Sequence, residues 1–400
     1  MVSKNVRIQI LDKFLKNPYR FYFPLALLCL LYGSALWVQA GVLKIGDLPI
    51  QEHAFVFFGG FLFFSINGFA LTAVPQFTKS SHLTLGEFLI GASLSILSLI
   101  FFKINLFGYF WLSVVIGWLF LMSFFFRRFK NKNENENPPY SFIFVFNGIL
   151  LGFLGSLFLA LAAYDFTQFA EIERWGKVFF YDGMVTSFVL GVGIRLIPGI
   201  WGFNSIVQSQ KKLYERDRPF LTVVPKSIYL MVLLFLLSLI LEVLDFGLPS
   251  FLIRALIISF VGFKFWALHR KIPHKTWHGR MIKVACWFLM LGSWSLCFFQ
   301  DYLIHMKHFV YVGTYVLLTL MISSRVILVH AKESLDIEKR KIPYLLLGGL
   351  LSLATWTRAT AFILPDSYEN HLGYAGLVLF ISASLWGMFF FKRIFKKVPA

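Results

Sequence analysis

Charge is what this 400-residue chain has least of. Lys, Arg, Asp and Glu together make up 14% of it, against 58% hydrophobic residues. A water-soluble fold does not cover that much apolar surface, so the composition excludes a soluble enzyme and indicates a multi-span membrane protein. Acidic residues are the scarcer sign, 20 against 38 Lys and Arg. Cysteine is nearly absent. Cys29, Cys286 and Cys297 all lie in apolar segments, and neither CxxC nor CxxCH occurs, which excludes covalent c-type haem attachment. Cys286 and Cys297 would stand about 16 Å apart on one helix, too far for a disulfide. All three read as small buried hydrophobes, with metal ligation as the alternative. No P-loop, Ser/His/Asp set or paired-carboxylate site stands out, nor do the paired histidines and tyrosine of the haem-copper oxidases.

What is abundant is apolar length. The mean hydropathy is +0.71, and Phe alone accounts for 49 residues. Runs long enough to cross about 30 Å of hydrocarbon recur twelve times. They fall at 23–43, 53–74, 85–102, 106–126, 141–164, 177–200, 227–247, 251–268, 281–299, 308–328, 342–363 and 371–391. The expected architecture is all-α and polytopic: a basic segment over 1–22, one twelve-helix membrane domain over 23–391, and a basic tail over 392–400. The apolar run after the basic N-terminal segment is longer than a signal-peptide core, so it reads as a retained first span. The polar stretch "NKNENENPP" reads as a mobile linker between helices 4 and 5. No short-period repeat is visible, and an inverted repeat of two six-helix halves, as transporters use, is not seen in the residues.

The net charge of +18 sorts with this topology. Six segments carry four or five Lys/Arg each: the N-terminal segment, "RRFKNKNENENPPY", "QSQKKLYERDRPFLTVVPKS", "HRKIPHKTWHGRMIK", "AKESLDIEKRKIP" and "FKRIFKKVPA". Twelve spans put all of them on one side, with Lys79. The other side holds only Lys44, Lys103, Arg174, Lys177 and Lys307. Positive-inside reasoning then places both termini in the cytoplasm. The positive charge is a topology signal and not a nucleic-acid footprint.

Polar residues inside the apolar runs are the functional candidates. His53, His308 and His371 each fall at the outer mouth of a span, with His305 one turn before His308, and His330 at the inner end of helix 10. Imidazoles so placed suit copper, haem iron or zinc; the alternative is anchoring of helix ends at the headgroups. His308 and His330 are separated by about 33 Å of helix and by roughly 40° in azimuth, so they would serve two sites and never one. His82, His269, His274 and His278 read as solvated loop residues. Arg254 and Lys264 lie near helix ends and can snorkel. Arg195, Arg325 and Arg358 have less escape and want a counter-charge or an anionic ligand. Asp182, Glu242 and Asp245 are the acids in reach of Arg358, while Arg195 and Arg325 lack an evident partner. His53, Gly60 and Gly68 fall on one face of helix 2, which admits either a flat ligand or another helix.

Several stretches carry a family resemblance. "HAFVFFGGFLFFSINGFALTAVPQFT" resembles the second-helix motif of the NnrS family, WHAHEMLFG followed by GFLLTAVPNWTG. "LGVGIRLIPGIW" looks like that family's GGRVIPFFT. "HFVYVGTYVLLTLMISSRVILVHAKES" is similar to HALTIGAIGTMILAMMTRVSLGHTGR, with His308, Gly313, Arg325 and His330 in register. "SLATWTRATAFI", carrying Arg358, and "LFISASLWGMFFF" also look similar. The resemblance implies a twelve-helix inner-membrane protein holding non-covalent b-type haem and copper, linked to nitric oxide, metal-nitrosyl species and nitrosative stress. It raises His53, His308, His330, Arg195, Arg325 and Arg358 as ligands or propionate partners, with Gly60 and Gly68 beside them. His305 and His371, from their place at the outer rim, and Met290, as a thioether in place of a family histidine, complete the candidate metal set. The chain departs from the family motif at Phe55 and Val56, where a second His and a Glu are expected, at Met290, where a His is expected, and at "VHAKE". These departures bear on a copper site first. The competing reading from the residues is a transporter of an anionic or metal-complex substrate, and the third is a scaffold whose polar residues are packing glue.

Overall fold

The computed structural model describes residues 11–130, 138–164, 170–214 and 220–396. The linker "NKNENEN" and the two extreme ends of the chain, parts of the expected basic N-terminal segment and basic tail, lie outside the described residues. Those described are helical, with no strand among them.

Among the described residues, twelve helices are long and apolar enough to cross a membrane. Span 1 is Tyr19–Val42, span 2 Ile50–Thr78, span 3 Leu85–Lys103, span 4 Phe107–Lys130, span 5 Phe142–Ala163 and span 6 Glu171–Trp201. Span 7 is Lys226–Val243, span 8 Gly247–Lys264, span 9 Trp277–Phe298, span 10 Gln300–His330, span 11 Lys341–Ile363 and span 12 Pro365–Ile394. Their ends follow helix-terminus chemistry. The Thr84 side chain and Glu87 close a reciprocal capping box at the start of span 3, which satisfies two otherwise orphaned backbone donors. Thr276 caps span 9 through the Gly279 amide at 3.1 Å. That cap starts span 9 before its apolar run begins, so His278 is helical and not part of a loop.

Four spans contain π-helical stretches: Val38–Val42 in span 1, Phe55–Leu62 in span 2, Val178–Met184 in span 6 and Tyr311–Val316 in span 10. Each shifts the face presented by the residues beyond it. The straight-helix azimuths that aligned His308 with His330, and His53 with Gly68, therefore do not apply.

The chain packs as two compact units. The first comprises Met1–Leu25, Phe63–Gly191 and Ser209–Tyr229. Its core surrounds Trp118, which is fully buried and ringed by Phe63 at 5.2 Å, Phe188 at 6.0 Å and Phe180 at 6.4 Å between centroids. Gly152 makes room for that indole: a Cβ there would lie 2.5 Å from it. Buried Glu87 ties this unit together by accepting from Arg128 at 2.7 Å and pairing with Arg127 at 3.1 Å.

The second unit comprises Ala26–Leu62, Val192–Gln208 and Leu230–Ala400. Phe251, Phe288, Phe309, Ala255 and Ala359 form part of its apolar core. The Trp386 indole donates to the Leu320 carbonyl at 3.0 Å and the Ser324 hydroxyl at 2.9 Å, joining spans 12 and 10. Spans 1 and 12 cross backbone to backbone at Gly41 and Gly373, where a Cβ on either would meet the other's main chain within 2.8 Å. Many large apolar side chains remain exposed, among them Leu89, Ile90, Leu233 and Leu256, as a lipid-facing surface requires.

Candidate functional site

His53 and His308 occupy equivalent places on two spans. His53 ends the short α-helical Ile50–Ala54, which passes into the π-helical Phe55–Leu62. His308 sits in α-helical Leu303–Val310, which passes into the π-helical Tyr311–Val316. Such π stretches are rare and concentrate at functional sites. Both histidines are half-buried in the second unit.

Hydrogen bonding sets the tautomer of each. His53 Nδ1 lies 3.1 Å from the Gly33 carbonyl of span 1. A carbonyl only accepts, so in the neutral ring Nδ1 carries the hydrogen and Nε2 the lone pair. His308 Nδ1 meets the Ile304 carbonyl at 2.5 Å, with the same consequence. This is the arrangement by which metal-binding histidines are held in the ligating tautomer. Aromatic rings wall both imidazoles: Trp37 at 5.5 Å and Phe57 at 5.9 Å from His53, and Tyr311 at 5.8 Å from His308. Phe58 meets Tyr311 edge-on at 5.0 Å and links the two sides.

Arg358 of span 11 joins this group. Its Nη1 donates to His305 Nδ1 at 3.0 Å, and the Tyr368 hydroxyl is a further partner. Guanidinium has no acceptor, so His305 Nδ1 must hold the lone pair, and the ring hydrogen sits on Nε2. His305 is buried against Phe362 at 5.1 Å and Tyr368 at 5.7 Å. It is thus a positioning residue for Arg358. The Arg358 charge acts on His53, His305 and His308, and His308 also feels the other two imidazoles. Three histidines and an arginine from spans 2, 10 and 11 share one neighbourhood.

Of the three acids expected in reach of Arg358, Glu242 is engaged elsewhere. Glu242 pairs with Lys307 at 2.8 Å and with Arg254, which also donates to Ser250 at 2.6 Å. Arg254 does not snorkel; it is buried in that network. The cause is helix packing: spans 7 and 8 are joined by a short turn, which brings Arg254 back onto Glu242. Among the described residues no carboxylate pairs with Arg358, so its positive charge stays at the imidazole group.

The remaining candidates are dispersed. His330 Nδ1 bonds the Val326 carbonyl of its own turn at 2.9 Å, and His371 Nδ1 that of Ser367 at 2.9 Å. Met290 is buried within span 9 and Arg195 is half-buried in span 6. Gly60 and Gly68 are taken up by helix packing. A Cβ on Gly60 would lie 2.9 Å from Cys29 Sγ, and one on Gly68 2.9 Å from the Phe23 ring. Among the described residues, no three His, Cys, Asp or Glu side chains converge as a metal-holding set.

Arg325, expected to lack an acid, pairs with Glu338. The partner was hidden because it lies in the polar segment after span 10, where a short 3-10 helix, Leu335–Lys339, folds the carboxylate inward. Beside it stands His278, wholly buried where a solvated loop histidine was expected. The Thr276 cap two residues earlier is the sequence signal that could have shown it.

An all-α membrane-type bundle with paired, tautomer-held imidazoles beside a partly buried arginine defines the class. The family model described as NnrS protein matches residues 13–397, and the chain belongs to that family. No curated protein matches the chain.

Proposed function

We propose that this chain is a haem-binding protein of the bacterial cytoplasmic membrane that acts in the response to nitric oxide or nitrosative stress. The supporting observation is the pair His53 and His308, each with Nδ1 committed to a backbone carbonyl and Nε2 left as the ligating atom, under the charge of Arg358.

The donor set fits haem. A porphyrin supplies four nitrogens of its own, so one or two imidazoles complete its coordination. A stand-alone structural metal site wants four protein ligands and a catalytic zinc wants three, and no such set converges among the described residues. The losses at Phe55, Val56 and Met290 bear in the same direction, leaving haem favoured over a separate copper. His53 and His308 would hold the iron through Nε2, and Arg358, steadied by His305 and Tyr368, would pair with an anionic group of the haem. Bound haem iron supplies a redox-active Lewis-acid centre for a small ligand such as nitric oxide. The chain's own groups hold the imidazole tautomers, present the positive charge, and exclude water with Trp37, Phe57, Phe58 and Tyr311.

The test is the visible spectrum and haem content of the purified protein, beside those of His53→Ala and His308→Ala. A Soret band lost in both variants supports the reading. A colourless wild-type protein that moves an anion or metal complex across vesicles would replace it with transport.

A further inference from the structure

At the end of span 10 remote from His308 lies a second polar group, which no part of the reading above uses. His278, Glu338 and Tyr344 are 0%, 2% and 0% exposed. They belong respectively to span 9, to the 3-10 helix Leu335–Lys339 and to span 11. Each has one buried polar atom without a hydrogen-bond partner among the described residues: His278 Nδ1, Glu338 Oε1 and Tyr344 Oη. Buried polar groups are rarely left so, because an unmade bond leaves the desolvation of the group uncompensated.

The valences of these atoms are determined by their other bonds. His278 Nε2 lies 2.9 Å from the Met321 carbonyl, which only accepts, so the neutral ring carries its hydrogen there and Nδ1 is an acceptor. Glu338 Oε2 is paired with Arg325, and Oε1 is a carboxylate acceptor 3.6 Å from His278 Nδ1. Two acceptors therefore face each other at a distance too long for a direct bond. Tyr344 packs edge-on to His278 at 5.4 Å between centroids and is under the charge of Glu338, and its hydroxyl is a donor. The group lacks one partner that donates twice and accepts once.

We infer that His278, Glu338 and Tyr344 bind a single water, which donates to His278 Nδ1 and Glu338 Oε1 and accepts from the Tyr344 hydroxyl. Water has that valence, and buried waters make about three hydrogen bonds to otherwise unsatisfied groups. A proton shared directly between Nδ1 and Oε1 is the competing arrangement. It would add a buried positive charge to a place where Arg325, Arg340 and Arg393 already act on Tyr344. The water is electrically neutral and satisfies all three atoms. It also pins the connection between spans 10 and 11 onto spans 9 and 11, forming a buried acid–base station in contact with Arg325.

The test uses full-length protein in lipid nanodiscs with ¹⁵N-labelled histidine, the His278 signals being assigned by their loss in His278→Gln. The inference expects a neutral ring with hydrogen on Nε2 only, magnetisation passing from water to Nδ1, and loss of that transfer in Tyr344→Phe, which keeps the ring packing. A high-resolution map would show a density within about 2.8 Å of all three atoms. Hydrogen found on both ring nitrogens at neutral pH would overturn it in favour of the shared proton. So would a map in which Nδ1 and Oε1 close to hydrogen-bond distance with nothing between them.

Discussion

His53 on span 2 reaches the carbonyl oxygen of Gly33 on span 1 through its Nδ1, at 3.1 Å. The bond is made to main chain, so it holds the imidazole without depending on the identity of another side chain. The contact does not require glycine at position 33: a Cβ there would meet Val56 and His53 Nδ1 only at ordinary van der Waals distance, 3.5 and 3.6 Å.

The first prediction follows from that contact. On the proposed haem site, His53→Ala and His308→Ala are expected to lose the haem absorbance, because each removes an Nε2 proposed to bind the iron. His371 lies outside the imidazole group that Arg358 acts on, and His371→Ala is expected to retain it. Gly33→Ala keeps the carbonyl and should leave the spectrum unchanged. Absorption spectra normalised to haem content check all four; an unaltered spectrum in His308→Ala would refute the assignment.

Arg358 and His305 should behave differently from the ligands. His305→Ala removes the acceptor that steadies Arg358, not a metal ligand. It is expected to weaken haem affinity by about 10–100-fold, the usual effect of losing an outer-shell partner. Titration of haem into apoprotein measures this. Equal, complete loss in His305→Ala and His308→Ala would contradict the tautomer argument.

Glu242 neutralises two cations at once, Arg254 and Lys307. Glu242→Ala takes the shared carboxylate from both and is expected to cost about 3–5 kcal/mol, as removal of one partner from a buried pair does. Lys307→Met leaves the Arg254 pair intact and should cost clearly less. Thermal unfolding of the purified variants ranks the two.

Glycines separate crossing points from lipid-facing positions. Gly41→Ala would drive a Cβ to 2.6 Å from the Gly373 backbone. Main chain cannot step aside, so a loss near the upper end of the 1–3 kcal/mol range for overpacking is expected. Gly349 lies exposed in span 11, with nothing within 4 Å of an added Cβ. Gly349→Ala should instead stabilise by about 0.5–1 kcal/mol through helix propensity. Melting temperatures of opposite sign would bear out the distinction.

Composition, apolar periodicity and ordered motifs were enough for the all-α class, the twelve spans and the family. Those properties depend on sums along the chain: hydrophobic length against bilayer thickness, and several weak motifs reinforcing one another. His53, His308 and Arg358 were also legible as candidates, since polar groups in apolar runs are costly and conspicuous.

What the tertiary structure alone decided is how those groups are paired. Glu242 meets Arg254 and Lys307, and Arg325 meets Glu338, because folding of short connections brings together side chains far apart in the chain. The π stretches rotate later residues off the faces that a straight helix would give them, which undid the alignment of His308 with His330. His278 became a core residue because a cap and a returning segment enclosed it. Long sums along a chain survive in one dimension; a hydrogen bond depends on tenths of an ångström between segments whose separation only the folded chain sets.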